Sequence, residues 1–179
     1  PDWSRGLGDV YKRQHLWSDR PNDRWERFLN IASKVAHEYE KKYGIHTYFI
    51  IVCIRHLGPE KALEASRFAS NVTNKNVVGF GMAGDETKFN TLDFMRSFDF
   101  AKQSGLGTTT HAGEICGAKS VDEAIKLGVT RIGHGVRSCE SEETIINLSK
   151  KNILLEVCPG SNIALGLYSS LDDHPINSL

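Results

Sequence analysis

Four short stretches of this 179-residue chain put chemistry-bearing side chains beside residues that open space around them. In TTTHAGE, His111 follows three threonines and Glu114 stands three residues on. Threonines favour a strand and Gly113 disfavours a helix, so His111 stands at a strand end with Glu114 just beyond it. A histidine and a carboxylate converging on such a rim suit a metal ligand next to a general acid or base. By itself a His-x-x-Glu pair is more often structural, and the pair gains weight only in company. In RIGHG, His134 stands at another strand end between Gly133 and Gly135, which leave room around the ring. A rim histidine satisfied by its neighbours is the plain alternative there. In LLEVCPGSN, Glu156 lies inside a strand that reads as buried, and a buried carboxylate needs a partner. Pro159 and Gly160 end that strand, and Ser161 and Asn162 read as caps of a following turn.

The fourth stretch is a trap. Gly79, Gly81 and Gly84 in GFGMAG spell the G-x-G-x-x-G of a dinucleotide site directly after a strand. Asp85 and Glu86 follow at once, where a helix N-terminus would have to meet a pyrophosphate, and two carboxylates would repel it. The next helical pattern starts only near Thr91. The better reading is a strand ending in a loop whose backbone approaches a ligand, which glycine permits because it lacks a Cβ. The remaining histidines read more plainly. His37 is solvated on a helix, His46 lies in a turn, His56 follows Arg55 at a strand end as a structural residue, and His174 before Pro175 belongs to a loop. G-x-S-x-G, Walker A and P-C-x-x-C patterns are absent from the sequence.

These residues need elements to carry them, and two kinds of segment alternate. Thr47–Ile54, Val77–Phe80, Gly107–Thr110, Arg131–Gly133 and Ile153–Val157 are rich in aliphatic or β-branched residues and read as strands. Trp25–Tyr43, Glu60–Asn71, Leu92–Gln103, Val121–Leu127 and Glu142–Lys150 have helical spacing. Ser120 and Ser141 sit at N-cap positions, and Gly44, Gly105 and Gly128 follow helix ends. Strand and helix alternating at roughly 25–30 residues per unit is the signature of a parallel α/β sheet. An open doubly wound sheet and a closed (β/α)₈ barrel both fit, and both place chemistry at the C-terminal ends of strands.

Composition narrows the class. The chain is 40% apolar and 25% charged with zero net charge, ordinary material for a soluble globular protein. It has no basic block to suggest nucleic acid or an anionic membrane surface. No apolar run reaches the roughly 18–20 residues of a spanning helix. Cys53, Cys116, Cys139 and Cys158 are scattered, which favours free structural thiols and a reduced, cytoplasmic setting.

Taken together and in order, VVGFGMAGDE, THAGE, RIGHG and LEVCPGSN resemble the adenosine deaminase family of the metal-dependent amidohydrolases. IRHLGPE and the His174-Pro175 pair are similar to its bacterial members, and the resemblance covers His15 to Leu179. It implies a (β/α)₈ barrel with one zinc ion. It implies that His111 is a zinc ligand and that Glu114 protonates the purine ring nitrogen beside the reacting carbon. His134 is then the residue that orients the attacking hydroxide, and Gly84 a backbone N–H donor to the purine. The implied reaction is hydrolytic deamination of adenosine, a small-molecule purine nucleoside, to inosine and ammonia. Adenine or an N6-substituted purine is the alternative substrate, because many relatives carry an acidic residue where Gly81 stands. A barrel-like binding protein without catalysis is the alternative of another class. No nucleic-acid or membrane partner is implied, and the oligomeric state is left open.

The family's His-x-His strand, which supplies two zinc ligands, and its Asp-Asp-Pro strand, which supplies another, have no counterpart in this sequence. Asp172-Asp173 is followed by His174 and lies too close to LEVCPGSN to be that motif. The expectation is a partial barrel, roughly strands three to seven of eight, over residues 15–179, with one motif-matched zinc ligand. Such a chain is expected to be inactive as it stands and to hold zinc poorly. Residues 1–14 have a separate reading: Ser4 to Gln14 (SRGLGDVYKRQ) equal, without a gap, the translation of a transposon adapter used in sequencing libraries. Native sequence is therefore expected to begin near His15.

Overall fold

Strand and helix alternate from Phe49 onward as the periodicity predicts. The computed structural model describes residues 22–179, so the expectations for residues 1–14 and for a native start at His15 lie outside the described residues. In chain order the elements are α1 (Asn22–Tyr43), β1 (Phe49–Ile54), α2 (Pro59–Asn71), β2 (Val77–Ala83), α3 (Met95–Gln103), β3 (Gly107–Ala112), α4 (Ala118–Leu127), β4 (Arg131–His134), α5 (Glu142–Lys150), β5 (Leu154–Glu156) and α6 (Pro159–Ala164). The five strands form one sheet in the order β1-β2-β3-β4-β5, and every neighbouring pair is parallel. Sequential parallel strands joined by helices are the expected α/β arrangement, and here they make up part of a (β/α)₈ barrel.

Register assigns the two faces of the sheet. Cys53, Met82, Thr110, Ile132 and Leu155 form one row across the five strands. Cys53, Met82 and Ile132 are buried in the main core with Phe80, Phe94, Phe98, Val121 and Leu127, and Leu155 packs against it. That face lies under the helices. The alternate row pairs Ile54 with Ala83 and His111 with Gly133 and Glu156, so His111 points to the opposite, inner face. On β2 the helix-facing side chains Phe80 and Met82 are large and apolar. Those of β2 on the inner face are Gly79, Gly81 and Ala83, which leave the strand nearly bare.

Several local signals hold and two do not. Ser141 caps α5, its hydroxyl accepting the Thr144 N–H at 3.2 Å. Gly128 ends α4 in the left-handed conformation. Ser120 is not a cap: α4 starts at Ala118 after Gly117, and the Ser120 hydroxyl serves a longer-range contact described below. β2 runs through the glycine-rich stretch to Ala83 rather than stopping at Phe80, because Gly81 and Met82 pair fully with β1 and β3. A 3₁₀ turn (Thr91–Phe94) with an Asn90–Asp93 capping box precedes α3. Among the described residues no helix is long and apolar enough to cross a membrane.

Candidate active site

The C-terminal ends of β2, β3 and β4 meet at one rim. There the ligand atoms of His111, Glu114 and His134 all lie within 4.8 Å of one another. The His111 and His134 rings meet edge to face, with centroids 4.9 Å apart. Glu114 Oε1 lies 3.4 Å from His134 Nδ1.

Each residue reaches the rim for a different reason. His111 does so by strand parity, and its ring lies flat against the neighbouring strand. A Cβ at Gly133 would stand 2.7 Å from His111 Cδ2, so any side chain at that position in RIGHG would displace the ring. His134 is paired with Ala112, whose side chain is buried in the helix-facing core, so an extended His134 would be directed away from His111. Its φ is 66°, in the left-handed region, and this turn of the backbone brings the ring back to the inner side. A β-strand exit with a non-glycine residue in that region costs about 1–3 kcal/mol, a cost typical of functional positions. Backbone bonds from Gly135 N–H to Ala112 O (2.9 Å) and from Arg137 N–H to Gly113 O (3.0 Å) tie the two strand exits together.

Glu114 sits in a loop, and that loop is held by a residue the sequence reading treated only as a repulsive charge. The buried Glu86 carboxylate accepts the backbone N–H groups of Gly113, Glu114 (3.2 Å), Ile115 (2.7 Å) and Cys116 (2.8 Å), and the Ser120 hydroxyl at 2.8 Å. On the opposite side of the strand exit, buried Arg55 donates to the His111 carbonyl at 3.0 Å and to Thr91 Oγ1 at 3.2 Å. A cation thus takes the carbonyl of His111, and an anion takes the four N–H groups that follow. Both groups come from the ends of neighbouring strands, and both contacts span more than 25 residues of sequence. A buried carboxylate after AGD was the available signal, since only such a dense set of donors makes its burial tolerable.

The electrostatics of the cluster favour neutral side chains. Burial, helped by His134 and Arg55, holds the His111 imidazole neutral, its pKa pushed down to about 3. Burial and the Glu86 charge raise the Glu114 carboxyl above the ordinary glutamate range. Burial lowers His134, against the opposing pull of Glu86 and Glu156. Both shifts across the Glu114–His134 contact favour the uncharged forms over an ion pair. A neutral, enclosed imidazole beside a carboxyl group that burial biases toward its protonated form is a donor set that fits a metal ligand next to a general acid.

Gly84 follows β2 at the same rim with φ 107°, and a Cβ there would meet Arg55 N at 3.2 Å and Ile54 Cγ2 at 3.3 Å. Glu156 is half-buried rather than enclosed, because β5 is partly exposed, and it pairs with Arg131 Nη1 at 3.1 Å and Thr109 Oγ1 at 3.4 Å. Asn162 and His174, read from sequence as a turn cap and a loop residue, are both buried behind His134. Asn162 Nδ2 lies 3.3 Å from His134 Nδ1, and Asn162 Oδ1 lies 3.1 Å from His174 Nε2. His37 and His46 are exposed beside Glu40, as expected of surface histidines.

A parallel strand–helix array in sequential order that gathers two histidines and a carboxylate at its carboxyl rim is the arrangement of a partial (β/α)₈ barrel with a rim site. The chain belongs to the adenosine deaminase family, whose model, described as adenosine deaminase, matches residues 24–179. It is 43% identical to a protein of Rhizobium rhizogenes named adenine deaminase, over 97% of this chain and 55% of that protein. It is similar in structure to the adenine deaminase of Arthrobacter aurescens, with a TM-score of 0.77 and 29% identity over 83% of this chain and 46% of that one. It is also similar to the N6-methyl-AMP deaminase of Arabidopsis thaliana, with a TM-score of 0.66 and 27% identity over 73% and 38% of the two chains. The chain spans about half the length of these relatives.

Proposed function

We propose that this chain is the central part of a zinc-dependent purine deaminase that converts adenine and water to hypoxanthine and ammonia. The observation that carries the reading is the cluster itself: His111, Glu114 and His134 within 4.8 Å on the rim, with a buried, neutral imidazole next to a carboxyl group whose pKa is raised. Adenosine, the substrate expected from the family resemblance, is less well supported. Relatives that share 41–45% identity carry the name adenine deaminase, among them the proteins of Sinorhizobium medicae and Agrobacterium fabrum. Gly81 agrees with this choice. It lies on the inner face in the row of Val52 and Thr109, and a Cβ there would already meet Thr109 Cγ2 at 3.0 Å, so no side chain at this position offers a polar contact to a larger substrate.

Zinc, when bound, supplies a water nucleophilic at neutral pH. His111 is the ligand in this chain. A catalytic zinc takes about three protein ligands and an open position, so the others come from the part of the relatives' length that this chain does not span. Glu114, its carboxyl raised above the ordinary glutamate range, gives a proton to the purine ring nitrogen next to the carbon under attack. That removes the charge which would otherwise build on the ring. His134 orients the attacking water, and the Gly84 N–H holds the purine. The exocyclic amine leaves as ammonia when the C6–N bond breaks, and C6 keeps the oxygen.

The test is ultraviolet absorbance of the purified full-length gene product with adenine, adenosine and N6-methyladenine in parallel, with zinc measured by elemental analysis. Adenine turnover with one zinc per chain is expected. Preferential turnover of adenosine or of the methylated base moves the substrate assignment, and no deamination of any of the three overturns the reading. The 179-residue chain in the same assay is expected to show neither stoichiometric zinc nor turnover.

A further inference from the structure

Behind His134 lies a line of buried polar groups that the proposed reaction does not use, and its polarity can be read from one end. The Ile176 backbone N–H donates to His174 Nδ1 at 3.2 Å. A backbone N–H can only donate, so His174 Nδ1 is an acceptor and the neutral ring carries its proton on Nε2. That Nε2–H faces Asn162 Oδ1 at 3.1 Å, which accepts. The Asn162 amide is then oriented with Nδ2 toward His134 Nδ1, 3.3 Å away. An amide nitrogen can only donate, so His134 Nδ1 is an acceptor in turn; Glu114 Oε1, 3.4 Å from the same nitrogen, is compatible with this in its protonated form, the form its burial favours. Asn162 is wholly buried and His174 is 3% exposed, so water does not compete for these groups. Tyr168 packs edge-on against the His174 ring with centroids 4.8 Å apart, which fixes the ring plane.

We infer that Asn162 and His174 are positioning residues that hold His134 in the tautomer with Nδ1 as acceptor and Nε2 carrying the proton. His134 then works on the attacking water as a hydrogen-bond donor from Nε2, not as a base that receives its proton there. The backbone argument makes this specific. The left-handed φ of His134 turns the ring toward His111, and the relay decides which face of its chemistry the ring presents. The inference rests on the purine deaminase reading for its catalytic consequence, but not for the tautomer itself.

The two parts are separable by experiment on the full-length gene product. Selective ¹⁵N-histidine labelling and long-range ¹H–¹⁵N spectra read the tautomer directly. His134 and His174 are both expected with a protonated-type Nε2 and an acceptor-type Nδ1, whatever the substrate proves to be. A His134 protonated on Nδ1 in the unaltered protein overturns the inference, whether or not the protein deaminates adenine. Asn162→Asp is isosteric but can only accept, so it draws the His134 proton to Nδ1. Its kcat is expected to fall about 100-fold with KM within about threefold and zinc content unchanged, since misplacing one acid–base group costs on that order. His174→Phe is expected to lose most of the same factor, whereas His174→Gln, whose amide still donates to Asn162, recovers most of it. Asn162→Asp with unchanged kcat and an unchanged His134 tautomer would sink the relay. A protein inactive on every purine, yet with the expected tautomers, would instead sink the deaminase reading and leave the relay standing.

Discussion

His111 and His134 stand 4.9 Å apart at neighbouring strand ends, yet they are held by opposite means. His111 is extended strand to its last atom. Register points it inward, Gly133 vacates the space beside it, and Arg55 and Glu86 lock the backbone that follows. His134 contradicts its strand. Parity sends it toward the helices, and a left-handed backbone brings it back to a side-chain relay. The difference teaches that a ligand and a water-orienting group make different demands. A metal ligand is best built on rigid, regular backbone, where its position is set by the sheet. A group that must present one ring nitrogen needs side-chain partners that choose its tautomer, and those come from elsewhere in the fold.

Four substitutions in the full-length gene product break or sharpen this comparison. His111→Ala removes the ligand and is expected to abolish bound zinc and turnover while the fold survives, as elemental analysis and circular dichroism would show. Retained stoichiometric zinc would mean that His111 is not a ligand. Glu86→Ala strands four backbone N–H groups, of which that of Gly113 is fully buried, and the Ser120 hydroxyl at the β3 exit. A loss of about 3 kcal/mol in denaturant unfolding is expected, because each buried donor left unpaired carries its own desolvation cost. The variant is expected to lose zinc as well, and a neutral effect on stability would show that the carboxylate is dispensable. His134→Asn keeps a side chain that tolerates the left-handed backbone and can accept from Asn162. Activity is expected to fall about 100-fold with zinc content and stability nearly unchanged. Loss of zinc in this variant would erase the division of labour between the two histidines. Gly133→Ala keeps every side chain of the cluster and disturbs only the space beside His111. Its Cβ would press within 2.7 Å of His111 Cδ2, so the ring must shift. A cost of about 1–3 kcal/mol and weaker zinc binding are expected, with the His134 tautomer unaltered in the same ¹⁵N spectra.

The sequence by itself determined the alternation of strands and helices, the parallel α/β class, and the identity of His111 and Glu114 as rim residues. Each of these rests on local spacing: apolar runs, helical periodicity, and glycines placed where backbone must turn. The five strand segments read from composition fall on the five observed strands, and Glu142–Lys150 matches α5 residue for residue. Local spacing also explains one misreading and one unforeseen burial. Ser120 stands where a cap would stand, but its hydroxyl is claimed by Glu86 from 34 residues away. His174 precedes a proline like any loop residue, but it is buried against Asn162, 12 residues earlier. Only the tertiary structure decided these partners, along with the turn of His134 toward His111 and the clamp of Arg55 and Glu86 on the β3 exit. The physical reason is that side-chain hydrogen bonds across tens of residues, and a single left-handed φ on a non-glycine residue, leave no periodic mark in the chain. They exist only once parallel strands have brought their ends to a common rim, where burial makes each polar group find a partner.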